Sequence, residues 1–199
     1  MRGALDVHRE LLARDVPHEV VRLRGTVAAD ADDLPRALGL DPCSCVAVRV
    51  YVTDVGTVAV LVQAGAVPQP AALLSVLGAR TLRPATADEV NAGTDYAAGL
   101  VSPVCLPAGV LLVADEALRA AEVLYCPVGE GGVALGIRSA DLLAASGARV
   151  HDLAALPLPR GEREPWTRSP REGAGPGRVL DLDGRDAGAA RQHPERYRG

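Results

Sequence analysis

Two β-branched runs set almost back to back, residues 45–52 and 57–63, constrain this chain more than any other feature. The link between them, Thr53-Asp54-Val55-Gly56, has the composition of a hairpin turn. Strands joined that tightly pair antiparallel. The expected scaffold is therefore α+β: a mixed, largely antiparallel sheet or a partly closed barrel, with helices packed around it.

The remaining segments fit that frame. Ala4, Val7, His8, Leu11 and Leu12 recur at helical spacing across residues 4–15, and Pro17 opens a strand over 18–23. Residues 30–40 read as a helix that Asp30 can cap and Gly39 can end, starting near Pro35. A short helix over 70–77 ends at Gly78, and a short strand covers 81–83. Thr86-Ala87-Asp88-Glu89 has the capping-box pattern of a further helix. Residues 93–109 are turn-rich. Strands are expected over 110–114, 122–127, 133–137 and 148–150, with a helical turn opened by Asp115 and a helix over 139–146 capped by Ser139.

From about Pro157 the composition changes. Residues 160–199 are rich in Gly, Pro and Arg, and 179–182 (Val-Leu-Asp-Leu) is their one apolar stretch. Such a segment buries too little apolar surface to offset chain entropy. The expected organisation is one domain over 1–156 and a disordered tail over 157–199.

Composition excludes several chemistries. Aromatics are 3% of the chain and Phe is absent, so the core is built from Val, Leu and Ala, without interleaved rings for stacking bases. All 21 basic residues are arginine, which removes Schiff bases, a P-loop lysine and a Ser–Lys dyad. Residues 1–159 carry a net charge of −6 and the remainder +2. An acidic body argues against a broad phosphate-gripping surface and against DNA as a partner, while leaving the end of an RNA open. No apolar run reaches the roughly 18 residues of a membrane span, and charge follows the first residue too soon for a secretory signal. The cytoplasm is the expected compartment. Cys43, Cys45, Cys105 and Cys126 are few for a disulfide framework and lack zinc-knuckle spacing. No metal or cofactor is expected.

Five local motifs then occur in one order. They are Leu38-Gly39-Leu40-Asp41-Pro42 before a β-run, residues 94–103 (Thr-Asp-Tyr-Ala-Ala-Gly-Leu-Val-Ser-Pro), 110–118, 123–132, and 139–148 beginning Ser139-Ala140-Asp141-Leu142-Leu143. Together they resemble the YbaK/ProX family over roughly residues 5–155. The resemblance implies a trans-acting editing deacylase, similar to the insertion domain of bacterial prolyl-tRNA synthetase. Such proteins cleave the ester that joins a wrong amino acid to the tRNA 3′ end. It further implies a lysine on the first hairpin strand that holds the charged substrate end, and a glycine loop whose backbone cradles the aminoacyl group.

Carried onto this chain, the family's lysine falls on Ala47 and its frequent polar neighbour on Val48. The serine of the 123–132 segment falls on Pro127, and the second glycine of the loop on Leu100. Gly99, Ser102, Pro103, Asp115 and Gly129 are retained. Each also has a structural reading: positive φ at the glycines, a turn at Ser102, a cap at Asp115. Arg49 lies two residues beyond Ala47, on the same strand face, and is the candidate substitute for the missing amine. Ala47, Gly99, Ser102, Pro103 and Gly129 are the candidate substrate-binding positions, expected to border one cleft with Arg49.

The resulting expectation is an aminoacyl-tRNA deacylase with an altered site. The alternatives are a non-catalytic relative that binds an aminoacyl-tRNA end, an amino acid or an aminoacyl-tRNA synthetase, and an interaction module.

Overall fold

The computed structural model describes residues 1–23 and 28–158. The expected tail over 157–199 lies outside the described residues except for its first two positions.

The chain begins with helix α1 (Ala4–Ala13) and strand β1 (His18–Arg22). Asp30 accepts hydrogen bonds from Asp32 N and Asp33 N and so caps a single turn, Ala31–Asp33, which leads into α2 (Leu34–Leu38). The hairpin follows as β2 (Val46–Thr53) and β3 (Gly56–Gln63), with Thr53 Oγ1 donating to Gly56 O across its tip. Next come β4 (Ala66–Val67), α3 (Pro70–Leu77), β5 (Leu82–Pro84) and α4 (Ala87–Thr94), whose Thr86–Glu89 capping box forms. The last third holds β6 (Leu111–Asp115), β7 (Val123–Pro127), β8 (Val133–Arg138), α5 (Ser139–Ser146), β9 (Arg149–His151) and β10 (Leu156–Pro157).

The strands form a five-stranded sheet in the order β5-β2-β3-β6-β9, a three-stranded sheet β1-β8-β7, and the pair β10-β4. Among the strand pairings of the described residues, β3-β6 and β6-β9 are parallel and the others antiparallel. A single parallel bridge from Cys45 to Tyr125 links the two larger sheets. The sheets stay open, so the mixed, largely antiparallel sheet is the form adopted and the partly closed barrel is not.

Alternation along the hairpin explains why both strands read as continuous apolar runs. Val46, Val48, Val50, Ala59 and Leu61 enter one core cluster with Leu124, Leu135 and Leu142. Ala47, Tyr51, Val58, Val60 and Val62 enter a second with Leu73, Leu74 and Leu153. Both faces are covered, so no polar alternation is required.

One local expectation is corrected. Ser139 is the first helical residue of α5, and the cap position belongs to Arg138, which makes no side-chain cap bond. The two-residue strands β4 and β10 add to the strands expected from the sequence.

Candidate functional site

The pleat of β2 places Ala47, Arg49 and Tyr51 on one face. Ala47 has no exposed surface and pairs across the hairpin with Val62. Arg49 is 3% exposed. Its Nη2 donates to Asp32 Oδ1 at 2.7 Å and Oδ2 at 2.9 Å, and its Nε donates to Ala66 O at 3.1 Å. Asp32 Oδ1 also accepts from Gly65 N at 2.7 Å. The guanidinium thus sits beneath the surface in a charge-assisted pair, with its partner carboxylate 27% exposed above it.

The 99–103 loop hangs beside this pair. Gly99 has φ +84°, and its carbonyl accepts from Ala31 N at 2.9 Å, next to Asp32 in the chain. At its other side Leu100 O accepts from Gly129 N at 2.9 Å. Gly129 has φ +87°, and a Cβ there would strike Arg2 O and lie 3.0 Å from Tyr96 Cδ1. Both glycines therefore meet a conformational and a steric demand.

Ser102 is wholly buried, and its Oγ accepts from Val104 N at 3.3 Å. Tyr96, also fully buried, donates its hydroxyl to Val104 O at 2.8 Å, and burial pushes that phenol upward. Pro103 is buried within the same turn. Ser102 and Pro103 thus hold the loop from inside. Pro127 is buried at the end of β7, opposite Ala134. Asp115 is 3% exposed; its Oδ1 accepts from Ala117 N and its Oδ2 from Leu153 N. Its carboxylate joins β6 to the segment after β9.

The structure brings Arg49, Gly99 and Gly129 into one connected set through Ala31 and Asp32. Neither of two surface clefts, of about 500 and 660 Å³, is lined by Ala47, Arg49, Gly99, Ser102, Pro103 or Gly129. The first includes Leu40, Cys43 and Tyr125, and the second Arg2, Asp6 and Cys105. Asp32 is the residue that sequence reasoning missed. Its signal was the Asp30-Ala31-Asp32-Asp33 run, which supplied a cap and left two further carboxylates to be placed. Burial, then the charges of Asp32 and Asp33, raise the Asp30 carboxyl above its ordinary range.

The two buried thiols, Cys45 and Cys126, are structural. Burial pushes Cys45 up to about 12 and raises Cys126 as well, the opposite of what a nucleophile needs. His18 pairs with His8, ring nitrogen to ring nitrogen at 2.8 Å, and with Val16 O at 2.7 Å. Among the described residues no three His, Cys, Asp or Glu side chains gather as metal ligands.

The profile of the aminoacyl-tRNA editing domain matches residues 26–145, which contain the hairpin, Asp32, the 99–103 loop and Gly129. The chain belongs to the aminoacyl-tRNA editing domain family. This editing domain is also similar to the crystal structure of a candidate trans-editing enzyme for prolyl tRNA synthetase, at 27% identity and TM-score 0.67, over 75% of this chain and 95% of that one. A scaffold from work on epitope backbone grafting matches at 26% identity and TM-score 0.67, over 75% and 96%. A hypothetical protein, APE2540, shares the fold at 24% identity and TM-score 0.69, over 75% and 99%. No curated protein matches the editing domain's sequence significantly. These likenesses bear out the YbaK/ProX resemblance and the α+β fold. Among the described residues no helix is long and apolar enough to cross a membrane.

Proposed function

We propose that this editing domain is a slow aminoacyl-tRNA deacylase acting in trans on the 3′ end of a mischarged tRNA. The observation that carries the reading is the convergence of the 99–103 loop, Gly129 and the Ala31–Asp33 turn beside the strand that bears Ala47 and Arg49. In this reading the loop's backbone cradles the aminoacyl ester. A water oxygen bonds to the ester carbonyl carbon, the bond from that carbon to the ribose oxygen breaks, one water proton goes to the ribose oxygen, and the other is released as the new carboxylate forms.

Low turnover follows from the groups absent at positions where the family resemblance puts polar ones. Ala47 offers no charge, and Pro127 lacks a backbone N–H. One lost electrostatic stabiliser typically costs ~10²–10³ in rate. The compartment is taken to be the cytoplasm, and a synthetase that charges the same tRNA is the natural second partner.

The closed Arg49–Asp32 pair favours a second reading, a non-catalytic relative that binds the aminoacyl end. Incubation with mischarged tRNA(Pro) separates the two. Protein-dependent release of the amino acid, slow but above the spontaneous rate, supports the deacylase. No release, together with saturable binding of a non-hydrolysable aminoacyl-adenosine, supports the binder. Neither release nor binding leaves the interaction module.

A further inference from the structure

We propose that Asp32 is a positioning residue, clamped by Arg49, that sets the place of the 99–103 loop; for its kinetic consequence this rests on the deacylase reading above. The argument begins with charge. An arginine cannot shed its proton in a protein, so a guanidinium that is 3% exposed requires an anion at a defined spot. Asp32 supplies the carboxylate there, with both oxygens on Nη2.

The same carboxylate accepts Gly65 N, while Arg49 Nε donates to Ala66 O. Three separate stretches, β2, residues 65–66 and the Ala31–Asp33 turn, are thereby tied at one point. From that point the constraint runs one peptide along the chain. Ala31 N donates to Gly99 O, and the preceding Asp30 packs under Gly99 where a side chain would have stood. The loop's second tether, Gly129 N to Leu100 O, comes from the other side of the site. The loop is thus suspended between two amide donors, and the Asp32–Arg49 pair fixes the first.

The pair touches the loop through Ala31 and Asp30, so its removal should displace the cradle without removing any group of it. Misplacing reacting groups by about 1 Å costs on the order of 10²-fold in rate. The experiment uses the full chain with Asp32→Asn and Arg49→Lys, the latter keeping the charge and losing the planar fork. Asp54→Ala serves as a control at the hairpin tip, where Asp54 accepts from Arg80 N and Thr81 N.

Amide hydrogen exchange is read at Ala31 and Gly129, and steady-state deacylation of mischarged tRNA(Pro) alongside it. The expected result is exchange at Ala31 at least tenfold faster in both site variants, with core amides such as Val113 unchanged. KM should rise or kcat/KM fall by about ten- to a hundredfold, and Asp32→Glu should recover part of the loss. Asp54→Ala should leave both readouts at wild-type values. Wild-type exchange at Ala31 in a folded Asp32→Asn protein would overturn the proposal, as would an equal response in Asp54→Ala. Should Asp32→Asn fail to fold, Arg49→Lys decides by the same two readouts. Absence of any wild-type hydrolysis defeats the deacylase reading alone, and the exchange measurement still decides the positioning role.

Discussion

Gly99 lies so close to Asp30 that a β-carbon on the glycine would stand 3.1 Å from Asp30 Cβ. Asp30 cannot retreat easily, because its carboxylate is occupied by Asp32 N and Asp33 N. Gly99→Ala would also place an L side chain at φ +84°, which alone costs about 1–2 kcal/mol. We expect Gly99→Ala to fold with a lowered melting temperature and to lose aminoacyl-adenosine binding. Gly129→Ala should be worse, because there the obstructing atom is the backbone oxygen of Arg2. A Gly99→Ala protein with wild-type melting and binding would show that the loop tolerates a side chain and is no tight cradle.

Restoring the family's amine is not expected to restore chemistry. Ala47 is wholly buried in the cluster that holds Ala31, Val60, Val62 and Leu73, so Ala47→Lys must force a long chain into a packed core. Overpacking alone costs about 1–3 kcal/mol. The ammonium would further meet the Arg49 guanidinium two residues along the same face. The expected variant is destabilised and no faster on mischarged tRNA(Pro). A stable Ala47→Lys protein with accelerated hydrolysis would mean that an open pocket exists beside β2.

Much of the scaffold was legible because its signals are local. Asp54 and Gly56 mark the hairpin tip, Thr86 and Glu89 the start of α4, and Gly78 and Gly147 the ends of α3 and α5. The alternation rule correctly put Arg49 and Ala47 on one face. It gave no indication that the face is covered, because the cover comes from α3 and from Leu153, distant in sequence. The Asp32–Arg49 pair spans 17 positions and carries no spacing signal. Ser139 misled because serine commonly caps helices, whereas here its backbone N donates to Glu122 O and the helix starts on it. The strands β4 and β10 are too short to show a period of two.

The expected domain boundary at residue 156 can be tested by truncation. β10 covers Leu156–Pro157, and Leu158 N donates to Gly65 O at 2.7 Å, so a cut after Leu158 keeps the last described contact. Among the described residues, the side chains of the core clusters come from residues 4–155. We propose that the shortened chain melts in one cooperative transition close to that of the full protein. Loss of cooperative melting would show that residues beyond 158 complete the fold.

The last prediction concerns acid stability at the far edge of the five-stranded sheet. Arg83 grips Glu89 with both terminal nitrogens, at 2.7 and 2.6 Å, and Thr86 N adds a bond at 2.8 Å. The Arg83 bond, then the Thr86 amide, hold the Glu89 carboxyl down from its ordinary 4.5 to about 2. A carboxyl lowered in the folded state binds fewer protons there than when unfolded, so stability rises with pH across that window. Its contribution is complete above about pH 4.5 and drains away as pH falls toward 2. Glu89→Gln removes the titrating group, so melting temperature plotted against pH should fall less steeply between those values than in wild type. Because the Glu89 side chain is 39% exposed, solvent screens the pair and the difference should be small and should shrink in high salt. Parallel acid limbs for the two proteins would show that the fork contributes nothing to folding.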